Sequence, residues 1–172
     1  FDAIEAWTAA NRHSGPIHVI GHSIGGILSL LMAAHPRGRM LAGVDVLGVP
    51  IRFPDSDAGT EVQSWPLDQP HLPLLTEELR QSLLMGPPGT ITAAAEAYDR
   101  TLVRPMPRKE YVEAIAMPRA WPRVLPAIRI PVQFTVAEFE VMQETGPQVL
   151  ADVRALLTGS RHVVTFLQRG SG

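Results

Sequence analysis

The 172-residue chain is 45% hydrophobic and 19% charged, the composition of ordinary globular material amounting to about one domain. A formal net charge of −2 leaves no basic footprint for nucleic acid or an anionic membrane surface, and the absence of cysteine excludes disulfides and thiolate metal sites. A cysteine-free chain agrees with a reducing compartment, so a cytoplasmic location is expected. The longest uncharged apolar run, Ile24 to Ala34, is shorter than the roughly 20 residues that span a bilayer, so no membrane segment is expected.

Asp2 to Asn11 carries Phe1, Ile4 and Trp7 at helical spacing and predicts a helix, closed by Ser14-Gly15-Pro16. Ile17 to Ile20 is a β-branched run interrupted by His18, and it predicts a strand buried on both faces of a parallel sheet. Ile24 to Ala34 has no charge and predicts a buried helix, stopped by His35-Pro36-Arg37-Gly38. Leu41 to Leu47 predicts a second strand, with Asp45 inside it. Between Pro50 and Pro126 frequent prolines leave room only for short helices: one capped by Thr76 with Glu77 and Glu78 in its first turn, one capped by Thr90, and one over Arg108 to Met117. Strand pattern returns at Ile128 to Val136. A helix opens at Gly146-Pro147 and ends at Gly159, and Val163 to Leu167 predicts the last strand.

These elements are organised around Ile17 to Gly26, where only about three residues separate a strand pattern from a helix pattern. The chain must therefore reverse tightly. Gly21 and Gly25 flank Ser23 and are expected to leave room where a Cβ would clash, so that Ser23 holds a strained backbone with its hydroxyl outward. The run Gly21-His22-Ser23-Ile24-Gly25-Gly26 resembles the nucleophile elbow of the α/β-hydrolase superfamily, in its serine-nucleophile branch. That resemblance implies Ser23 as nucleophile and the amide of Ile24, at the helix N-terminus, as an oxyanion donor. His22 is expected to pack or line the pocket. The helical stretch between the second and third strands resembles the cap of these hydrolases.

A neutral serine needs a base to take its proton and an acid to orient that base. Functional groups gather at the carboxyl ends of strands in open α/β sheets, and Glu138 and Glu140 follow the third strand. In the resembling family the order is serine, acid, histidine. Val132 to Glu140 is similar to its penultimate strand and acid loop, with Ala137-Glu138-Phe139-Glu140 standing where a Gly-x-x-Asp-like turn is common. Glu140 is the preferred acid, Glu138 the alternative and Asp45 the third choice. His162 precedes the last strand and so belongs to the wrong edge of the sheet. Arg169-Gly170-Ser171-Gly172 resembles the turn that directly precedes the family's catalytic histidine. The expectation is a base just beyond Gly172, a second oxyanion donor before Phe1, and a chain that is part of a longer enzyme, as a start on Phe1 also suggests.

His13, His35 and His71 sit in loop or helix-end contexts, and no His-Glu-x-x-His or comparable spacing calls for a metal. Met85 to Thr90 lacks the Gly-Lys-Ser/Thr of a phosphate loop and reads as a turn. The expected architecture is a mostly parallel α/β sheet with helices on both faces and a helical cap insertion, an incomplete α/β-hydrolase fold. It divides into residues 1–50 (core with the elbow), 51–127 (helical cap) and 128–172 (core, acid loop and last strand). The expected activity is acyl-enzyme hydrolysis of a small, mainly apolar carboxylic ester without a cofactor. Related thioester, amide, carbon–carbon or perhydrolysis chemistry stays open, as does a non-enzymatic ligand-binding role. A small-molecule substrate is the one partner implied. Oligomeric state is left open.

Overall fold

A computed structural model describes residues 1–11, 15–53, 69–74 and 76–171. His13 and Gly172 lie outside the described residues. In chain order the elements are α1 (Asp2–Ala10), β1 (His18–His22), α2 (Ile24–Ala34), a 3-10 turn (Pro36–Met40) and β2 (Gly43–Leu47). Then come α3 (Glu77–Leu84), α4 (Ala93–Leu102), α5 (Arg108–Ala116), the single turn α6 (Trp121–Val124), β3 (Val132–Ala137), α7 (Pro147–Leu156) and β4 (Val163–Gln168). No helix among the described residues is long and apolar enough to cross a membrane.

The four strands form one parallel sheet in the order β1-β2-β3-β4, with Gly21 opposite Val46, Val46 opposite Phe134 and Phe134 opposite Thr165. Strands added in sequence order through right-handed crossovers place their connecting helices on one side. One core cluster accordingly joins Val44, Val46, Phe134 and Val136 of the sheet to Ile27 and Leu30 of α2 and to Val149 and Val153 of α7. Leu125 and Ile128, also fully buried, lead into β3 from the helical stretch. The other face of the sheet carries Ile20, Asp45, Gln133 and Phe166, and there Ile20 is 72% and Phe166 50% exposed.

The parallel α/β sheet expected from the sequence is present, and the covering helices are met on one face among the described residues. β1 is therefore not buried on both faces as expected. Its side chains alternate, because α2 packs on one side of it only. The uncharged α2 behaves likewise, burying Ile27, Leu30 and Ala33 while Leu28 stays exposed. The strand expected from Ile128 begins at Val132, after Pro131, whose ring leaves no N–H for a ladder.

A second correction concerns α4. Its cap is Thr92, whose hydroxyl accepts the Ala95 N–H at 3.2 Å. Thr90 cannot serve, because its hydroxyl is turned onto the carbonyls of Met85 and Pro87 at 2.7 and 2.8 Å.

Candidate active site

β1 is hydrogen-bonded to β2 up to His22, and α2 begins at Ile24, so the whole reversal falls on Ser23. Its backbone stands at φ 52°, ψ −120°, and among the described residues it is the one non-glycine residue with positive φ. An L-residue in such a sparsely populated region costs about 1–3 kcal/mol and persists only where its surroundings over-determine it. Here they do: the Ser23 N–H donates to the Leu47 carbonyl at 2.9 Å, and the Ser23 carbonyl accepts from Ile27 N–H at 3.0 Å. The Ser23 side chain makes no capping hydrogen bond to α2 and is exposed, which leaves the hydroxyl free for chemistry. Ile24 opens α2, where the first amides lack intrahelical acceptors and carry the positive end of the helix dipole.

Close packing explains two of the neighbouring glycines. A Cβ on Gly21 would run into the Gly25 carbonyl and into Ser29 Oγ, which is itself buried and donates to that same carbonyl at 2.7 Å. A Cβ on Gly26 would strike the side chain of Val49. Gly25 differs from the expectation: a Cβ there meets nothing within 4 Å among the described residues. The squeezed pair is therefore Gly21 and Gly26, because β1 and the segment after β2 press on the first turn of α2.

The loops that leave β2, β3 and β4 meet along the same carboxyl edge as Ser23. Gly48 N–H donates to the Thr135 carbonyl at 3.1 Å, Glu138 N–H to Gln168 at 3.0 Å and Phe139 N–H to Ser171 at 2.8 Å. Glu140, half-buried, accepts the Met142 N–H on Oε1 at 3.0 Å. Glu138 is more fully engaged, receiving the Gly170 N–H on Oε2 at 2.8 Å and the Arg169 guanidinium on Oε1 at 2.9 Å. The Gly170 amide foremost, with Arg169 adding to it, holds the Glu138 carboxyl below the ordinary carboxylate range.

His22 turns its ring toward Gly48, whose φ is +60°. A Cβ at that glycine would lie 3.4 Å from His22 Nε2 and 3.9 Å from Gln143 Nε2. Gln143 was not singled out by sequence reasoning. It is only 5% exposed, and its Oε1 finds no donor among the described residues. A glutamine three residues beyond a candidate acid carries no local signal, since its burial is set by residues distant in the chain, Gly48 among its neighbours.

The structure does not bring Asp45 or His162 to this edge. Asp45 lies mid-strand, between Ile20 and Gln133 in register. The His162 carbonyl accepts from Val132 N–H at 2.9 Å, and the residue shares a cavity of about 130 Å³ with His18, Gly43 and Pro131 at the amino ends of the strands. At about 3.3 Å per strand residue, that edge is on the order of 16 Å from Ser23. His35 caps the 3-10 turn by accepting the Arg37 N–H, and His71 forms a bridge with Pro107. Among the described residues no three His, Asp or Glu side chains converge as a metal ion would require.

The alpha/beta hydrolase family model matches this chain over residues 1–171. Among solved structures the chain is similar to a thermostable carboxyl esterase from Bacillus coagulans at 18% identity and TM-score 0.63, covering 98% of this chain and 61% of that one. It is also similar to a monoglyceride lipase from Saccharomyces cerevisiae at 12% identity and TM-score 0.70, covering 99% and 60%. A third likeness is to a monoacylglycerol lipase from Paleococcus ferrophilus at 17% identity and TM-score 0.60, covering 98% and 64%. The chain thus spans about three fifths of the length of the solved structures it matches. No curated protein sequence matches it. With the family model matching nearly end to end and a positive-φ serine turning a parallel strand into its helix, the chain belongs to the alpha/beta hydrolase family.

Proposed function

We propose that the protein is a serine hydrolase that cleaves a small, mainly apolar carboxylic ester through an acyl-enzyme. The observation that carries this reading is the backbone of Ser23, a positive-φ serine with an uncommitted hydroxyl beside the amino end of a helix. Ser23 Oγ attacks the carbonyl carbon and passes its proton to a histidine. The Ile24 N–H helps hold the oxyanion, and collapse of the tetrahedral intermediate releases the alcohol, which takes that proton back. Water then attacks the acyl-enzyme by the same proton route and frees the acid. Glu140 orients the histidine, which is supplied by the segment that follows the Arg169–Ser171 turn. The stretch from residue 51 to 127 serves as the cap, and its exposed Leu74, Tyr98, Leu102 and Met106 suit an apolar acyl or alcohol portion. His22 and Gln143 line the floor beside Gly48.

Ester hydrolysis by the protein expressed from its complete coding sequence tests the proposal. With p-nitrophenyl butyrate, wild type releases a burst of nitrophenol followed by steady turnover, and Ser23→Ala loses the burst and about 10³-fold or more of kcat. A protein that binds the ester but releases no nitrophenol, in a burst or at steady state, is a ligand-binding member of the family. A burst seen only with thioester or amide substrates moves the substrate class and keeps the nucleophile.

A further inference from the structure

Two carboxylates stand two residues apart on the loop that leaves β3, and the structure uses them differently. Glu138 has both oxygens occupied, one by the Gly170 N–H and one by Arg169, whereas Glu140 gives one oxygen to Met142 N–H of its own loop. The Gly170 contact spans 32 positions of sequence and reaches a turn that only glycine makes easily, at φ +69°. Two further main-chain bonds bracket it, Glu138 N–H to Gln168 and Phe139 N–H to Ser171. The exit of β4 is thus held to the exit of β3 at three consecutive points, and the Glu138 carboxylate is the side chain in that suture. An N–H donated to an ionised carboxylate is stronger than a neutral pair, while Arg169, largely exposed, adds a screened contact.

We propose that Glu138 is a positioning residue: by clamping Gly170 it holds the exit of β4 against the loop that carries Glu140 and so fixes where that carboxylate stands relative to Ser23. This rests on the esterase reading above, which takes Glu140 as the acid. The clamp assigns the two glutamates separate duties, with Glu140 orienting the base and Glu138 holding the loop that carries Glu140. An amide side chain can still accept from Gly170 N–H, so the position tolerates glutamine and not alanine. A misplacement of about 1 Å in a catalytic group costs on the order of 10²-fold in rate, which bounds the effect.

The test compares Glu138→Ala, Glu138→Gln, Glu140→Gln and Ser23→Ala in the protein from its complete coding sequence, by ester kinetics and by hydrogen exchange at Gly170 and Ser171. Glu138→Ala is expected to lose about 10- to 100-fold in kcat with KM nearly unchanged and to speed exchange at Gly170. Glu138→Gln is expected to stay within about threefold of wild type, because the acceptor survives. Glu140→Gln is expected to lose about 10⁴-fold, as when a triad acid can no longer fix the tautomer. Unchanged kcat in Glu138→Ala overturns the proposal, and so does a loss in Glu138→Gln as large as in Glu140→Gln, which would make Glu138 the triad acid. Activity that survives Ser23→Ala defeats the esterase reading itself. Activity that needs Ser23 and ignores Glu138→Ala defeats only the clamp.

Discussion

The sheet and the helices α3 to α5, inserted between β2 and β3, are stabilised by different forces. Around the sheet, Leu30, Val49, Leu125, Ile128, Phe134, Val136 and Val153 are wholly out of water in one apolar cluster. In the insertion α4 and α5 bury no residue, and Tyr98 and Leu102 are mostly exposed. Among the described side chains α3 meets α4 through charge: the buried Arg80 guanidinium pairs with Glu77 and Asp99, and Arg100 reaches Glu77 at 2.9 Å and Glu96 at 2.7 Å. Apolar burial is non-directional and is not weakened by ionic screening, whereas ion pairs with exposed partners are screened and depend on protonation. Ser23 therefore sits on the unit held by apolar burial, and α3 to α5 belong to the low-stability end of the molecule.

Phe134→Ala is the strongest way to break that contrast. It should cost about 3–5 kcal/mol, read as a lowered thermal midpoint of the whole sheet unit. Gly21→Ala comes next, at about 1–3 kcal/mol, because its Cβ meets backbone that cannot move without unseating Ser23. Hydrogen exchange sharpens the electrostatic half. Arg80→Ala should speed exchange in α3 and α4 while β2 and β3 keep their protection.

Acid should act in the same place. The hydrogen bond from Arg80 holds the Glu77 carboxyl below its ordinary range, so its stabilising contribution is complete above that range. The contribution is lost as pH falls through the depressed value, and the insertion should therefore loosen before the sheet does. The smallest effect is Gly25→Ala, expected between no change and a gain of about 1 kcal/mol, since the position is open and helical.

The strands and the elbow were legible because their signals are local. A β-branched run, a Gly-x-Ser-x-Gly reversal and an uncharged helix are contiguous in the chain, and β1, Ser23 and α2 fall where the pattern puts them. What the sequence hid depends on contacts between distant residues. Gly26 is the crowded glycine because of Val49, and Gly25 is not, yet the pattern presents them alike. Thr90 and Thr92 compete for one cap, and the turn carbonyls of Met85 and Pro87 decide between them. Glu138 and Glu140 read as interchangeable carboxylates until Gly170 is folded against one of them. The exposed face of β1 likewise follows from α2 and α7 sharing one side of the sheet, which a short apolar run cannot announce.

The central claim is that Ser23, bent to positive φ at the carboxyl edge, is a nucleophile. Incubating the protein from its complete coding sequence with a fluorophosphonate and mapping the adduct by peptide mass spectrometry tests it directly. The account predicts one stoichiometric phosphonyl group on Ser23, absent from Ser23→Ala. A protein that stays unmodified, or one labelled equally in the variant, contradicts it.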